Sequence, residues 1–186
     1  IKAYASAYRF TALTRDLSRA KAILPGAVNV IDSLSSYTDL NDVDAVINLA
    51  GEPIADKRWT ADQQYKICHS RWDVTQQLVN LINQSDTPPS ILISGSAIGY
   101  YGRQSQQAID EDFDSPHKEF THDVCSEWER IAQRATCSVA LLRTGVVLDK
   151  KAGALDKMLL PFKMGLGGKI ASGEQYMSWI HIDDMV

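Results

Sequence analysis

The stretch Asp42-Val-Asp-Ala-Val-Ile-Asn-Leu-Ala-Gly51 is where this chain is best equipped to hold a ligand. Val43 to Leu49 is a nearly unbroken apolar run between Asp42 and Gly51-Glu52-Pro53, and it reads as a short strand buried on both faces. In open parallel sheets, ligands sit just beyond the carboxyl ends of such strands, where small residues let a flat molecule lie against the backbone. Asn48-Leu49-Ala50-Gly51 is therefore the expected floor of a cofactor site. The other reactive groupings carry less. His122 and Cys125 form an HxxC with no second ligand pair, so no metal is expected there. His181, Asp183 and Asp184 have the composition of a metal or triad cluster. Gly165-Leu-Gly-Gly168 with Ser172-Gly173 has the glycine content of a phosphate cradle. It does not follow a strand and open a helix, so it reads as a wall of a substrate pocket.

The elements that must position these residues alternate. Arg9 to Arg15 and Ala27 to Ile31 read as strands, with a short helix over Arg19 to Leu24 ended by Pro25-Gly26. Thr60 is an N-cap with Gln63 three residues on, opening a helix from Ala61 to about Gln84. Ile67, Val74, Leu78, Leu81 and Ile82 give that helix an apolar face. Ser90 to Ser94 is a further buried strand, running into Gly95-Ser-Ala-Ile-Gly-Tyr-Tyr-Gly102. A helix over Phe120 to Arg134 and a strand over Ser138 to Arg143 follow, then a short helix over Leu155 to Met164. Strands alternating with helices imply βαβ units and a parallel sheet. The fold class is α/β, a doubly wound parallel sheet.

Length and composition bound the rest. A chain of 186 residues with 45% hydrophobic content fits one domain with a substantial core. Nineteen basic residues against 23 acidic ones give a net charge of −4 without a basic run, which argues against nucleic acid as the main ligand. Cys68, Cys125 and Cys137 are widely spaced and odd in number, as expected of reduced thiols in a cytoplasmic protein. No apolar stretch approaches the ~20 residues of a membrane span.

Three segments together carry a family resemblance: Asn48-Leu-Ala-Gly-Glu-Pro53, Ser94-Gly-Ser-Ala-Ile-Gly-Tyr-Tyr-Gly102 and Trp179-Ile-His-Ile-Asp-Asp184. Their order and spacing resemble the extended short-chain dehydrogenase/reductases, the NAD-dependent epimerase/dehydratase superfamily. Lys57-Arg-Trp59, Ser70-Arg71, Arg143-Thr-Gly-Val-Val-Leu148 and Gly165-Leu-Gly-Gly168 are similar to its atypical "epimerase family protein" branch. The resemblance implies an NAD(P)-binding Rossmann-like fold. It further implies that residues 1–186 are part of such a domain, without the first strand, its Gly-rich turn and a carboxyl-terminal substrate domain. Residues 1 to 8 would end the helix after that turn.

By the same resemblance, Thr14 and Arg15 reach the adenosine ribose. An arginine there pairs with a 2′-phosphate, so NADP is the expected cofactor, with NAD the alternative. Leu49, Ala50 and Gly51 become cofactor contacts, Arg71 reaches a phosphate or ribose, and Val147 lines the nicotinamide pocket. Ser96 matches the catalytic Ser/Thr of the superfamily. Its usual partners, a tyrosine and a lysine four residues later, are missing, because no tyrosine of this sequence has lysine at that spacing. Tyr100 or Tyr101 next to Ser96, or His122 on the following helix, are the candidate substitutes. His181 and the two aspartates would brace a domain joint.

Two readings stay open. One is an NADP-dependent epimerase-like oxidoreductase acting on a small molecule, with a nucleotide sugar as candidate substrate and a homodimer as one arrangement. The other is an NADP(H)-binding protein without turnover, structural or regulatory.

Overall fold

The computed structural model describes residues 1–150, 153–169 and 172–186. Strands β1 (Thr11–Leu13) and β2 (Asn29–Ile31) flank helix α1 (Leu17–Ile23) and pair in parallel, Ala12 opposite Val30. Then come β3 (Ala45–Asn48), α2 (Ala61–Gln84), β4 (Ile91–Ala97), a 3₁₀ turn (Ile98–Tyr101), α3 (Phe120–Ala132) and β5 (Ser138–Thr144). These strands form a parallel sheet in the order β3-β4-β5, with Ile47 opposite Ile93 and Ser96 opposite Arg143. β6 (Val146–Asp149), α4 (Gly153–Lys163), β7 (Trp179–His181) and α5 (Ile182–Met185) complete the chain, β6 pairing in parallel with β7. The expected βαβ alternation is present in β1-α1-β2, β3-α2-β4, β4-α3-β5 and β6-α4-β7, while β2 passes to β3 and β5 to β6 without a helix. Residues 1 to 8 instead form hydrogen-bonded turns, with Tyr4 N–H bonding Ile1 O and Tyr8 N–H bonding Tyr4 O.

Helix α2 begins and ends where the sequence places it, for local reasons. Thr60 Oγ1 accepts the Gln63 N–H at 3.2 Å, and Asp62 lies in the first turn, where the helix dipole favours an acid. At the other end the Ser85 hydroxyl donates to Leu81 O and accepts the Leu40 N–H, both at 2.8 Å. Its apolar stripe Leu78, Val79, Leu81 and Ile82 packs with Val46, Leu92 and Ala132 into the main core. Burying each of these larger side chains is worth about 1.5–3 kcal/mol.

The core sits on one face of the β3-β4-β5 sheet, and this corrects the expectation for the central strand. Val46 and Asn48 are buried toward the helices, while Ile47 is 59% exposed and Leu49 62%. An unbroken apolar run shows that a strand is apolar on both faces; only packing decides which face is covered. Among the described residues the second edges of β1 and β3 pair with no strand.

β5 passes to β6 through Gly145 alone, and here the chain changes sheets. Val146 N–H bonds Ser178 O at 2.8 Å, and a Cβ on Gly145 would lie 2.7 Å from that same oxygen. Only a residue without a side chain fits.

Candidate functional site

Two polar centres form at the carboxyl ends of the strands, one exposed and one buried. The exposed one joins β1 to β3. Arg15, two residues past β1, donates to Glu52 Oε2 at 3.1 Å, and Lys57 Nζ lies 3.5 Å from Glu52 Oε1. Hydrogen bonding to Arg15 is the main cause that holds the Glu52 carboxyl below its usual pKa. Thr14 Oγ1 accepts the Asp16 N–H, and Asp16 in turn caps α1 by accepting the Arg19 N–H at 2.9 Å. Thr14 and Arg15 thus lie on the turn out of β1, with the arginine head in solvent.

The backbone after β3 is held from below. Asn48 Oδ1 accepts the Ala50 N–H, while Asn48 Nδ2 donates to Thr75 Oγ1 at 2.8 Å. Trp128 Nε1 donates to the same hydroxyl, and Thr75 Oγ1 in turn donates to Arg71 O. The Thr75 oxygen thereby fixes the turn at Ala50 to α2 and α3 together. Ser70 Oγ accepts the Glu52 N–H at 2.8 Å, and Arg71 donates twice to Glu52 O at 3.1 Å. Arg71 lies so close under Gly51 that a Cβ there would sit 2.8 Å from its Cζ. Burial pulls the Arg71 pKa below its usual value. Its guanidinium has no carboxylate within ion-pair distance among the described residues, and its bonds go to backbone oxygens of Glu52 and Ile67 and, at 3.5 Å, to Ser70 Oγ.

The buried centre surrounds Ser96. Its hydroxyl donates to Glu129 Oε1 at 2.6 Å. Arg143, opposite Ser96 in the sheet register, grips the same carboxylate with Nε and a terminal nitrogen, both at 2.9 Å. Glu129 raises the Arg143 pKa above its usual value. Arg143 also donates to Tyr101 Oη at 3.1 Å, and its Cζ lies 3.6 Å from the centre of the Tyr100 ring. The Tyr100 carbonyl bonds His122 Nδ1 at 2.5 Å; a carbonyl only accepts, so Nδ1 carries the proton. Burial raises the Cys125 thiol pKa, and the Ser96 and Ala97 hydrogen bonds oppose that shift.

The fold therefore brings Ser96, Tyr100, Tyr101 and His122 into one cluster, and Arg15, Gly51 and Arg71 into another. Leu49 and Ala50 run along the mouth between them, Leu49 exposed. Val147 stands on the separate β6-β7 sheet, opposite Ile180. His181 accepts the Asp183 N–H at 3.2 Å as the cap of α5, in an exposed pair. Residues 170 and 171, in the glycine-containing loop, lie outside the described residues.

Sequence reasoning missed Glu52 and Glu129 as members of these centres. Glu129 had a signal: it falls on the apolar side of α3, among Cys125, Trp128 and Ala132, where an acid needs a partner. Glu52 was visible only as part of a motif.

Comparison with known proteins follows the same lines. The profile of the NAD dependent epimerase/dehydratase family matches residues 2–186. The chain is 40% identical over 182 residues to the Arabidopsis thaliana epimerase family protein SDR39U1 homolog, chloroplastic, covering 94% of this chain and 52% of the relative. It superimposes on the crystal structure of human epimerase family protein SDR39U1 (isoform 2) with NADPH at TM-score 0.83 and 32% identity, covering 97% of this chain and 60% of that one. A nucleoside-diphosphate sugar epimerase from Corynebacterium glutamicum gives TM-score 0.73 at 30% identity, covering 93% and 35%. The chain spans about half the length of the curated relatives it matches.

Proposed function

This chain belongs to the NAD-dependent epimerase/dehydratase family, and from that premise we propose that its strand ends hold NADP(H), with the 2′-phosphate read by Arg15. The observation that carries this reading is the meeting of two cationic heads, Arg15 and Lys57, at the mouth between β1 and β3. A guanidinium and an ammonium suit a phosphate dianion, whereas a ribose hydroxyl at that place calls for an unpaired carboxylate. The NADPH in the human relative agrees with the choice. Leu49, Ala50 and Gly51 offer the flat floor, and Arg71 holds that floor in place. Val147 belongs to the nicotinamide end of the same proposal.

When bound, the dinucleotide supplies hydride transfer. The chain's own part in an epimerase-like oxidoreductase reaction is to orient a small-molecule substrate, with a nucleotide sugar as candidate, beside Ser96 and Tyr100. One observation favours the second reading, binding without turnover. The Ser96 proton is already given to Glu129 and is not available to a reacting oxygen unless the hydroxyl turns. Among the described residues no helix is long and apolar enough to cross a membrane; a cytoplasmic site is part of the proposal.

Titration of NADPH and NADH against the full-length protein and Arg15→Ala tests the cofactor assignment. The wild type is expected to prefer NADPH, and the variant to lose roughly tenfold in NADPH affinity with NADH little changed. An unchanged preference overturns the role of Arg15. Screening nucleotide sugars with NADP(H), using Ser96→Ala as the control, separates the two readings.

A further inference from the structure

Glu52 is fixed through its backbone and unsettled through its side chain. Its N–H is held by Ser70 and its carbonyl by Arg71, so the carboxylate is the movable part. That carboxylate, 15% exposed, binds two cations that are themselves 79% and 63% exposed. Another potential partner lies inward. Gln63, in the first turn of α2, is 4% exposed, and its Nε2 has no hydrogen-bond partner. It is close enough to Glu52 to help hold the carboxylate ionised, without being hydrogen-bonded to it. A buried amide N–H left unpaired costs free energy until an acceptor turns to it.

We propose that Glu52 is an internal stand-in for the anionic group of the ligand: a 2′-phosphate displaces it from Arg15 and Lys57, and its carboxylate turns to Gln63 Nε2. This rests on the NADP(H) reading above and adds the device that sets its selectivity. In the exchange the two cations pass from a carboxylate to a phosphate while the Glu52 charge moves to the Gln63 amide, so neither cation is left without an anion before or after. A ligand with a bare 2′-hydroxyl cannot displace a carboxylate from a guanidinium and gains nothing from the swap. Discrimination thus depends on how firmly Glu52 competes and how well Gln63 receives it.

The test is the affinity of the full-length protein for NADPH and NADH in three forms: wild type, Glu52→Gln and Gln63→Met. Glu52→Gln removes the competing charge at constant shape and is expected to tighten NADPH roughly fivefold, with NADH within about twofold. Gln63→Met keeps the buried volume and removes the receiving amide; NADPH is expected to weaken about threefold, with NADH unchanged. Weaker NADPH binding in Glu52→Gln, or an unchanged NADPH-to-NADH ratio in both variants, overturns the stand-in while leaving the cofactor reading intact. A wild type that binds neither nucleotide overturns both.

Discussion

The two strand-end centres use the same chemical pair, an arginine and a glutamate, to opposite ends. At β1 and β3 the Arg15–Glu52 pair makes one contact at 3.1 Å, and the arginine is open to solvent. At β4 and β5 the Arg143–Glu129 pair makes two contacts at 2.9 Å, with side chains 18% and 5% exposed. Water screens the first and makes its partners exchangeable, while burial makes the second permanent, because either ion left alone inside is costly. A ligand can compete for Arg15. It cannot compete for Arg143 without dismantling the wall behind Ser96.

The largest effect should come from breaking the buried pair on one side. Arg143→Met leaves Glu129 charged and half-partnered, and a loss of about 3–5 kcal/mol is expected in urea unfolding. Replacing both partners by apolar residues, Arg143→Met with Glu129→Leu, should recover most of that loss, because no ion remains inside. A double variant as unstable as the single one would mean that the pair is held by more than its charge. Breaking the exposed pair by Arg15→Ala should move Tm by less than about 2 °C, and less still in high salt.

The smallest effect is in the pH profile. Contact with Arg15 depresses the folded pKa of Glu52, so the Glu52 contribution to stability is present above the unfolded carboxyl pKa. It is lost as pH falls through the depressed folded value. Glu52→Gln should therefore flatten the stability profile on the acid side of the ordinary glutamate range, with its small cost present at neutral pH and gone at low pH. Equal acid-side slopes in wild type and variant would show that the pair does not survive in solution.

What the sequence made legible was local. The Thr60 cap, the stripe from Ile67 to Ile82 and the alternation of strands and helices all depend on neighbours within a few residues, and they stand as read. Ser96 and the turn from Leu49 to Gly51 stood out through motifs, which placed them at strand ends. What did not show was who faces whom. Arg15 meets Glu52 across 37 positions, and Ser96 meets Glu129 across 33, so no spacing rule announces either pair. The misjudged burial of Ile47 has the same origin, since covering a strand face depends on distant helices.

The split between β1-β2 and β3-β4-β5 bears on how the molecule opens. Each sheet closes its own βαβ turn of chain, and the Arg15–Glu52 contact ties their mouths through one screened pair. The β3-β4-β5 unit is held by the packed stripe of α2 and by Thr75, which joins a strand end to two helices. The β1-β2 unit has α1, of which only Ala20 is buried. Cooperative units with fewer buried contacts open at lower free energy. The amides of Thr14 and Asn29, bonded to Ile31 and Phe10, therefore belong to a region that exchanges with solvent while Leu92 and its neighbours stay protected. The cation proposed to read the 2′-phosphate rides on the part of the fold that breathes first.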